Sequence, residues 1–160
     1  MDAISPGRLS AFLVDAKRRT YAGLDDDATV SAPAFPGSKQ LEYRDDGLSY
    51  RDIYFGMTYF VGQEVVCSDE RAIWSMSYSG GLASGLADRA EVAAIYAFLR
   101  QSLLRIRVDA PFRGPPSFEE GDFRYVNTPE GDLSGFSGVE QVTRSGAKVY
   151  SLRYGGGMIR

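Results

Sequence analysis

Leu9, Phe12, Leu13 and Ala16 recur at i, i+3, i+4 and i+7, the stripe of an amphipathic helix. Ser5 and Pro6 just ahead supply an N-cap and a first helical position, so a helix is expected from residue 6 to about Arg19 or Tyr21. The stretch "GLDDDATVSAPAFPGSKQ" then loses all periodicity. Its Asp25, Asp26 and Asp27 are consecutive rather than spaced as in a calcium loop, and read as a solvated turn. From Leu41 the period changes to two. "LEYRDDGLSY" reads as two strands around an Asp46-Gly47 hairpin turn, and "TYFVGQEVVC" and "AIWSMSY" flank the polar turn "SDER". Asp88 with Glu91 three residues on makes a capping-box start. Val92, Ile95, Tyr96, Leu99, Leu103 and Ile106 carry a second helical stripe through residues 88–106, until "DAPFRGPPSF" breaks it, since proline cannot continue a helix interior. "DFRYVN", "FSGVEQVTR" and "KVYSLRY" read as three further strands. The order is α-β-β-β-α-β-β-β, with one extra short strand in the first half.

The strand texture is written twice. "FVGQEVVCSDERAIWSMSYSGGL" (60–82) and "FSGVEQVTRSGAKVYSLRYGGGM" (136–158) align without a gap, with 8 identities in 23 positions. Upstream, "AFL" of the first helix (11–13) recurs in the second (97–99). The fold expected is α+β: internally duplicated α-β-β-β units, about 5–82 and 88–158, forming one curved antiparallel sheet in a single domain spanning 1–160. Neither half would bury its apolar face well alone, so both helices are expected on one face.

Alternation along a strand puts Phe60, Gly62, Glu64 and Val66 on one face, and Phe136, Gly138, Glu140 and Val142 likewise. Each glutamate thus stands in a row of apolar or side-chain-free positions, where a carboxylate is costly unless paired. The preceding glycine leaves room for a ligand, an aromatic ring or a neighbouring backbone. Trp74, Met76 and Tyr78, and Tyr150, Leu152 and Tyr154, supply the facing rows. Arg113 in "PFRGPP" is held in a rigid loop that can aim a guanidinium at a protein glutamate or at an anionic ligand. The candidate ligand-binding residues are therefore Glu64, Trp74, Tyr78, Arg113, Glu140, Tyr150 and Tyr154. The same glutamates could instead accept hydrogen bonds from tyrosine, arginine or turn backbone and fix the hairpins.

Composition narrows the chemistry by its absences. There is no histidine and one cysteine among 160 residues, which removes histidine-based catalysis, internal disulfides and zinc or iron–sulfur sites. Neither a P-loop nor a strand-linked GxGxxG occurs, and nothing calls for a cofactor or a metal. A net charge of −3 argues against direct nucleic-acid binding; the basic run Lys17-Arg18-Arg19 reads as a solvated helix end. No apolar run is long enough to span a bilayer and no signal peptide is evident, so a cytoplasmic location is expected.

The residues Tyr50, Asp52, Tyr54, Gly56, Phe60, Gly62, Glu64, Trp74, Tyr78, Gly80, Arg113, Gly114, Pro115, Tyr125, Gly131, Phe136, Gly138, Glu140, Tyr154 and Gly156, in their strings, resemble an uncharacterised prokaryotic domain family over nearly the whole chain. Its members occur alone or behind a helix-turn-helix segment of the phage-repressor type, and no activity follows from the resemblance. More distantly, the duplicated unit with central acids and aromatics is similar to the gyrase-inhibitor-like effector-binding domains of multidrug regulators, which bind lipophilic cations in a cleft on a pseudo-twofold.

Three functions fit these features. One is a small-molecule-binding or sensory module with an aromatic, acidic cleft for a cationic or aromatic ligand. Another is an interaction module that forms a homodimer or serves a transcriptional regulator. The last, less favoured, is an enzyme using carboxylates such as Asp52 with Glu64.

Overall fold

The computed structural model describes residues 4–22 and 32–160; the acidic triplet Asp25–Asp27 lies outside them. Helix α1 (Pro6–Arg19) begins where Ser5 accepts a hydrogen bond from the Arg8 amide, and its Leu9, Phe12, Leu13 and Ala16 are buried. Helix α2 (Arg89–Leu103) begins where Asp88 accepts from the Glu91 amide at 2.8 Å. It ends three residues before Ile106, in a tighter turn closed by the Arg105 and Ile106 amides on Ser102 and Leu103. No helix among the described residues is long and apolar enough to cross a membrane.

Eight strands follow the predicted texture: β1 (Lys39–Asp45), β2 (Leu48–Gly56), β3 (Tyr59–Ser68) and β4 (Arg71–Leu82) before α2, and β5 (Ser117–Glu120), β6 (Phe123–Asp132), β7 (Gly135–Arg144) and β8 (Ala147–Met158) after it. They form one antiparallel sheet in the order β1-β2-β3-β4-β8-β7-β6-β5. Each half is a helix and four strands. The strand added to the expected set, β5, is a four-residue edge strand, "SFEE", too short to show alternation. The central hairpins turn through paired left-handed residues, Asp69 with Glu70 and Ser145 with Gly146, the backbone of a two-residue hairpin loop whose twist matches the strands.

The two halves meet at β4 and β8, and that register is symmetric about one pair: Tyr78 lies opposite Tyr154, Met76 opposite Gly156 and Gly80 opposite Leu152. Each half carries a β-bulge at the same place, between Val66 and Cys67 and between Val142 and Thr143. Rows of side chains therefore run across the sheet in mirrored order, Asp52–Glu64–Met76 in one half and Asn127–Glu140–Leu152 in the other. Both helices bury their stripes against this face, in one core with Tyr50, Trp74, Tyr78, Tyr125, Tyr150 and Tyr154. The halves interlock: Phe60 of the first packs on Tyr150 of the second at 6.3 Å, and Phe136 of the second stacks on Trp74 of the first at 5.6 Å.

Candidate functional site

The gap beside each glutamate is filled by a ring. A Cβ on Gly62 would lie 2.4 Å from Cζ of Tyr78, and one on Gly138 2.2 Å from Cζ of Tyr154. Each tyrosine covers its glycine and reaches the next strand. The Tyr78 hydroxyl donates to Asp52 Oδ1 at 2.7 Å, and the Tyr154 hydroxyl to Asn127 Oδ1 at 2.8 Å.

Both glutamates are fully buried, and each has its own cation. Glu140 accepts from Arg113 Nη2 at 2.6 Å, Tyr125 at 2.6 Å and Tyr150 at 2.8 Å. Burial, the largest single influence on Arg113, would lower its pKa, but the Glu140 charge and hydrogen bond together with Tyr21 and Tyr150 hold it well above its ordinary value. Glu64 lies 2.7 Å from Lys17 Nζ, which also donates to the Phe112 carbonyl. Burial lowers the Lys17 ammonium, and Glu64 offsets this only in part. The expectation of a solvated helix end fails at Lys17, which continues the Leu9–Leu13 stripe inward and has no exposed surface. Around Glu64 the hydroxyl of Tyr50 and the indole nitrogen of Trp74 find no hydrogen-bond partner among the described residues, whereas their counterparts Tyr125 and Tyr150 both donate to Glu140.

Among the described residues five acidic or basic side chains are thus buried: Lys17 and Arg113 against Glu64, Glu140 and Asp52. Asp52 is the surplus acid. Its carboxyl is pushed up to about 7, chiefly by burial and then by the adjacent Glu64 charge, against the Tyr78 hydrogen bond and the charges of Arg113 and Lys17. Burial and the Asp52 charge in turn hold the Tyr78 hydroxyl protonated, its pKa well above the ordinary value, so Tyr78 is the donor.

Asp52 also borders open space. A cleft of about 440 Å³ lies between α2 and strands β2, β3 and β4, walled by Asp52, Tyr54, Phe60, Tyr78, Tyr96 and Arg113. Tyr96 closes one end by donating to the Met57 carbonyl in the β2–β3 turn. The other half differs at the matching ring: Phe136 is covered by Phe112, stacked at 4.0 Å, and is buried, while Phe60 faces the cleft.

The family model for a domain of unknown function, DUF5680, matches residues 52–159. The chain belongs to the DUF5680 family. The match takes in β3 through β8 with Glu64, Arg113 and Glu140, begins at Asp52, and leaves α1 with Lys17 outside. No curated protein matches the chain significantly, and no solved structure does.

In this DUF5680 chain the seven residues singled out from sequence separate into two groups. Tyr78 and Arg113 line the cleft. Glu64, Glu140, Trp74 and Tyr150 stand behind it with no exposed surface, and Tyr154 holds Asn127 in the other half. From sequence Asp52 carries part of the family resemblance and stands as a possible catalytic partner of Glu64, not as a ligand-binding residue. Tyr54, Phe60 and Tyr96 complete the wall; period two from Asp52 to Tyr54 and the helical stripe through Tyr96 place all three on the core face. Among the described residues no group of Asp, Glu and Cys could hold a metal ion.

Proposed function

We propose that the protein is a small-molecule-binding sensory module whose cleft takes an aromatic ligand carrying a positive charge. One observation carries this reading: Asp52, among the described residues the only buried carboxyl without a cation of its own, borders the cleft, where the other half of the fold has the neutral Asn127. A scaffold that holds its tyrosine equally well with an amide has no structural need for an ionisable group there. A cation among Tyr54, Phe60, Tyr78 and Tyr96 would meet both a carboxylate and aromatic faces. Behind the wall Glu140, itself held by Tyr150, fixes Arg113, and Glu64 is paired with Lys17. The resemblance to domains fused behind helix-turn-helix segments supports a sensory role, and the likeness to gyrase-inhibitor-like domains supports a lipophilic cation as ligand.

The test is calorimetric binding of tryptamine and benzyltrimethylammonium to the protein and to Asp52→Asn. The variant is expected to lose roughly 1–3 kcal/mol of affinity, the scale of a charge-assisted contact. Binding of equal strength to both proteins would rule the reading out.

The open face of the sheet favours a second reading, association with another copy of the chain. Ile53, Phe55, Val61 and Val65 line a groove there with Phe35, Arg51 and Arg153, and Phe55 and Val61 are 45% and 51% exposed. The matching positions of the second half are Thr128, Glu130, Ser137 and Gln141, so the fold does not require an apolar surface at this place. Light scattering across a concentration series should then show a dimer that Val61→Glu dissociates; a monomer throughout would exclude it.

A further inference from the structure

The cleft has a second charged wall whose bonding is incomplete. Arg113 borders the same space as Asp52, and its loop is tied down. The Gly114 amide donates to the Tyr125 hydroxyl at 2.9 Å, and Asn127 Nδ2 donates to the Gly114 carbonyl at 3.0 Å. Among the described residues the guanidinium makes one hydrogen bond, from Nη2 to Glu140, and its buried Nε has no partner. The rings of Tyr21 and Tyr78 lie 5.0 and 5.8 Å from its Cζ. These ring contacts give Nε no hydrogen-bond acceptor. Lys17, the other buried cation, is by contrast engaged by Glu64 and the Phe112 carbonyl and does not border the cleft.

We infer that the ligand carries a hydrogen-bond acceptor beside its positive charge, so that the cleft is built for a zwitterion or amino amide on an aromatic body, with Asp52 taking the amine and Arg113 the acceptor. This rests on the reading that the cleft binds a ligand. The physical reason is that Arg113 Nε already stands buried and unpaired, a penalty that a simple cation leaves in place and that a carboxylate or carbonyl brought against the guanidinium removes. Two walls of opposite charge also select a ligand of the reversed polarity over either single charge. The other titratable groups facing Asp52 and Arg113 are Tyr54 on β2, Glu64 on β3, Tyr78 on β4, Glu140 on β7, Tyr150 on β8, Tyr96 and Arg100 on α2, Lys39 on β1, and Lys17 and Tyr21 on α1 or just after it.

The experiment compares matched indole probes by calorimetry on the whole chain: tryptophan, tryptamine and indole-3-propionate. Tryptophan is expected to bind about tenfold more tightly than tryptamine, the value of one charge-assisted bond, with indole-3-propionate weakest. In Arg113→Lys, which keeps the charge facing Glu140 but removes Nε and the planar fork, the tryptophan-to-tryptamine ratio should fall to about one. If that variant does not fold by circular dichroism, the ratio in the unaltered protein decides. Tryptamine binding as tightly as tryptophan there overturns the acceptor inference and leaves the cation site standing. Failure of both amines to bind overturns both.

Discussion

Asp52 and Asn127 sit opposite Glu64 and Glu140 in matching rows and hold matching tyrosines, yet only one of them titrates. The folded chain keeps the Asp52 proton up to about pH 7, while the unfolded chain releases it near its ordinary 3.8. Between those values the folded state binds more protons, so this group's contribution to stability falls as pH rises from about 4 to about 7 and is level above. Asp52→Asn should remove that slope and raise stability at about pH 8, by on the order of 4 kcal/mol at most, as read by urea unfolding at both ends of the range. Loss of stability in the variant at about pH 8 would contradict it. Gly62→Ala should cost about 1–3 kcal/mol, because the new methyl occupies the place of the Tyr78 ring and pulls its hydroxyl from Asp52; an unchanged melting temperature would count against that packing. At this scale the sequence showed the glutamates clearly, because repetition marks them. It hid the Asp52–Asn127 equivalence because β2 and β6 correspond at an offset of 75 while the central hairpins correspond at 76, so a gap-free alignment sets Asp52 beside Thr128.

Helix α1 is joined to the sheet by Lys17 and Glu64, a buried pair whose worth depends on both members being present. Lys17→Met alone should cost roughly 3–5 kcal/mol, because it leaves a buried carboxylate without its cation. Adding Glu64→Gln should recover much of that loss in a double-mutant cycle followed by chemical denaturation; additive losses would mean that the two groups act independently. The elements themselves were legible wherever periodicity and caps agreed, at Ser5-Pro6, at Asp88 with Glu91, and through the two central hairpins. Lys17 was obscured by its neighbours Arg18 and Arg19, although it stands four residues beyond Leu13 on the buried stripe. β5 was obscured because only Phe118 in it is partly buried, and pairing with β6 rather than any pattern of its own makes it a strand.

At the scale of the molecule, we propose that the chain is a single domain of two repeats, about 5–82 and 88–158, that fold as one unit. The support is the symmetric β4–β8 register and the exchange of rings across it, Phe60 onto Tyr150 and Phe136 onto Trp74. Trp74, the only tryptophan, reports on the first half, whereas far-ultraviolet dichroism reports on both. The two signals should trace one coincident unfolding transition, and separate midpoints would mean that the halves unfold independently. The same symmetry isolates the site, since in the other half Phe112 covers Phe136 and the matching position is the neutral Asn127, whereas Asp52 borders the cleft. The most direct test of that account is the affinity of tryptamine for the whole chain, measured by calorimetry from about pH 6 to about pH 8. The affinity should rise with pH, approaching roughly tenfold per unit well below pH 7, and level off above it as Asp52 ionises, and should be weak and flat in Asp52→Asn. An affinity that ignores pH and survives the substitution would contradict it.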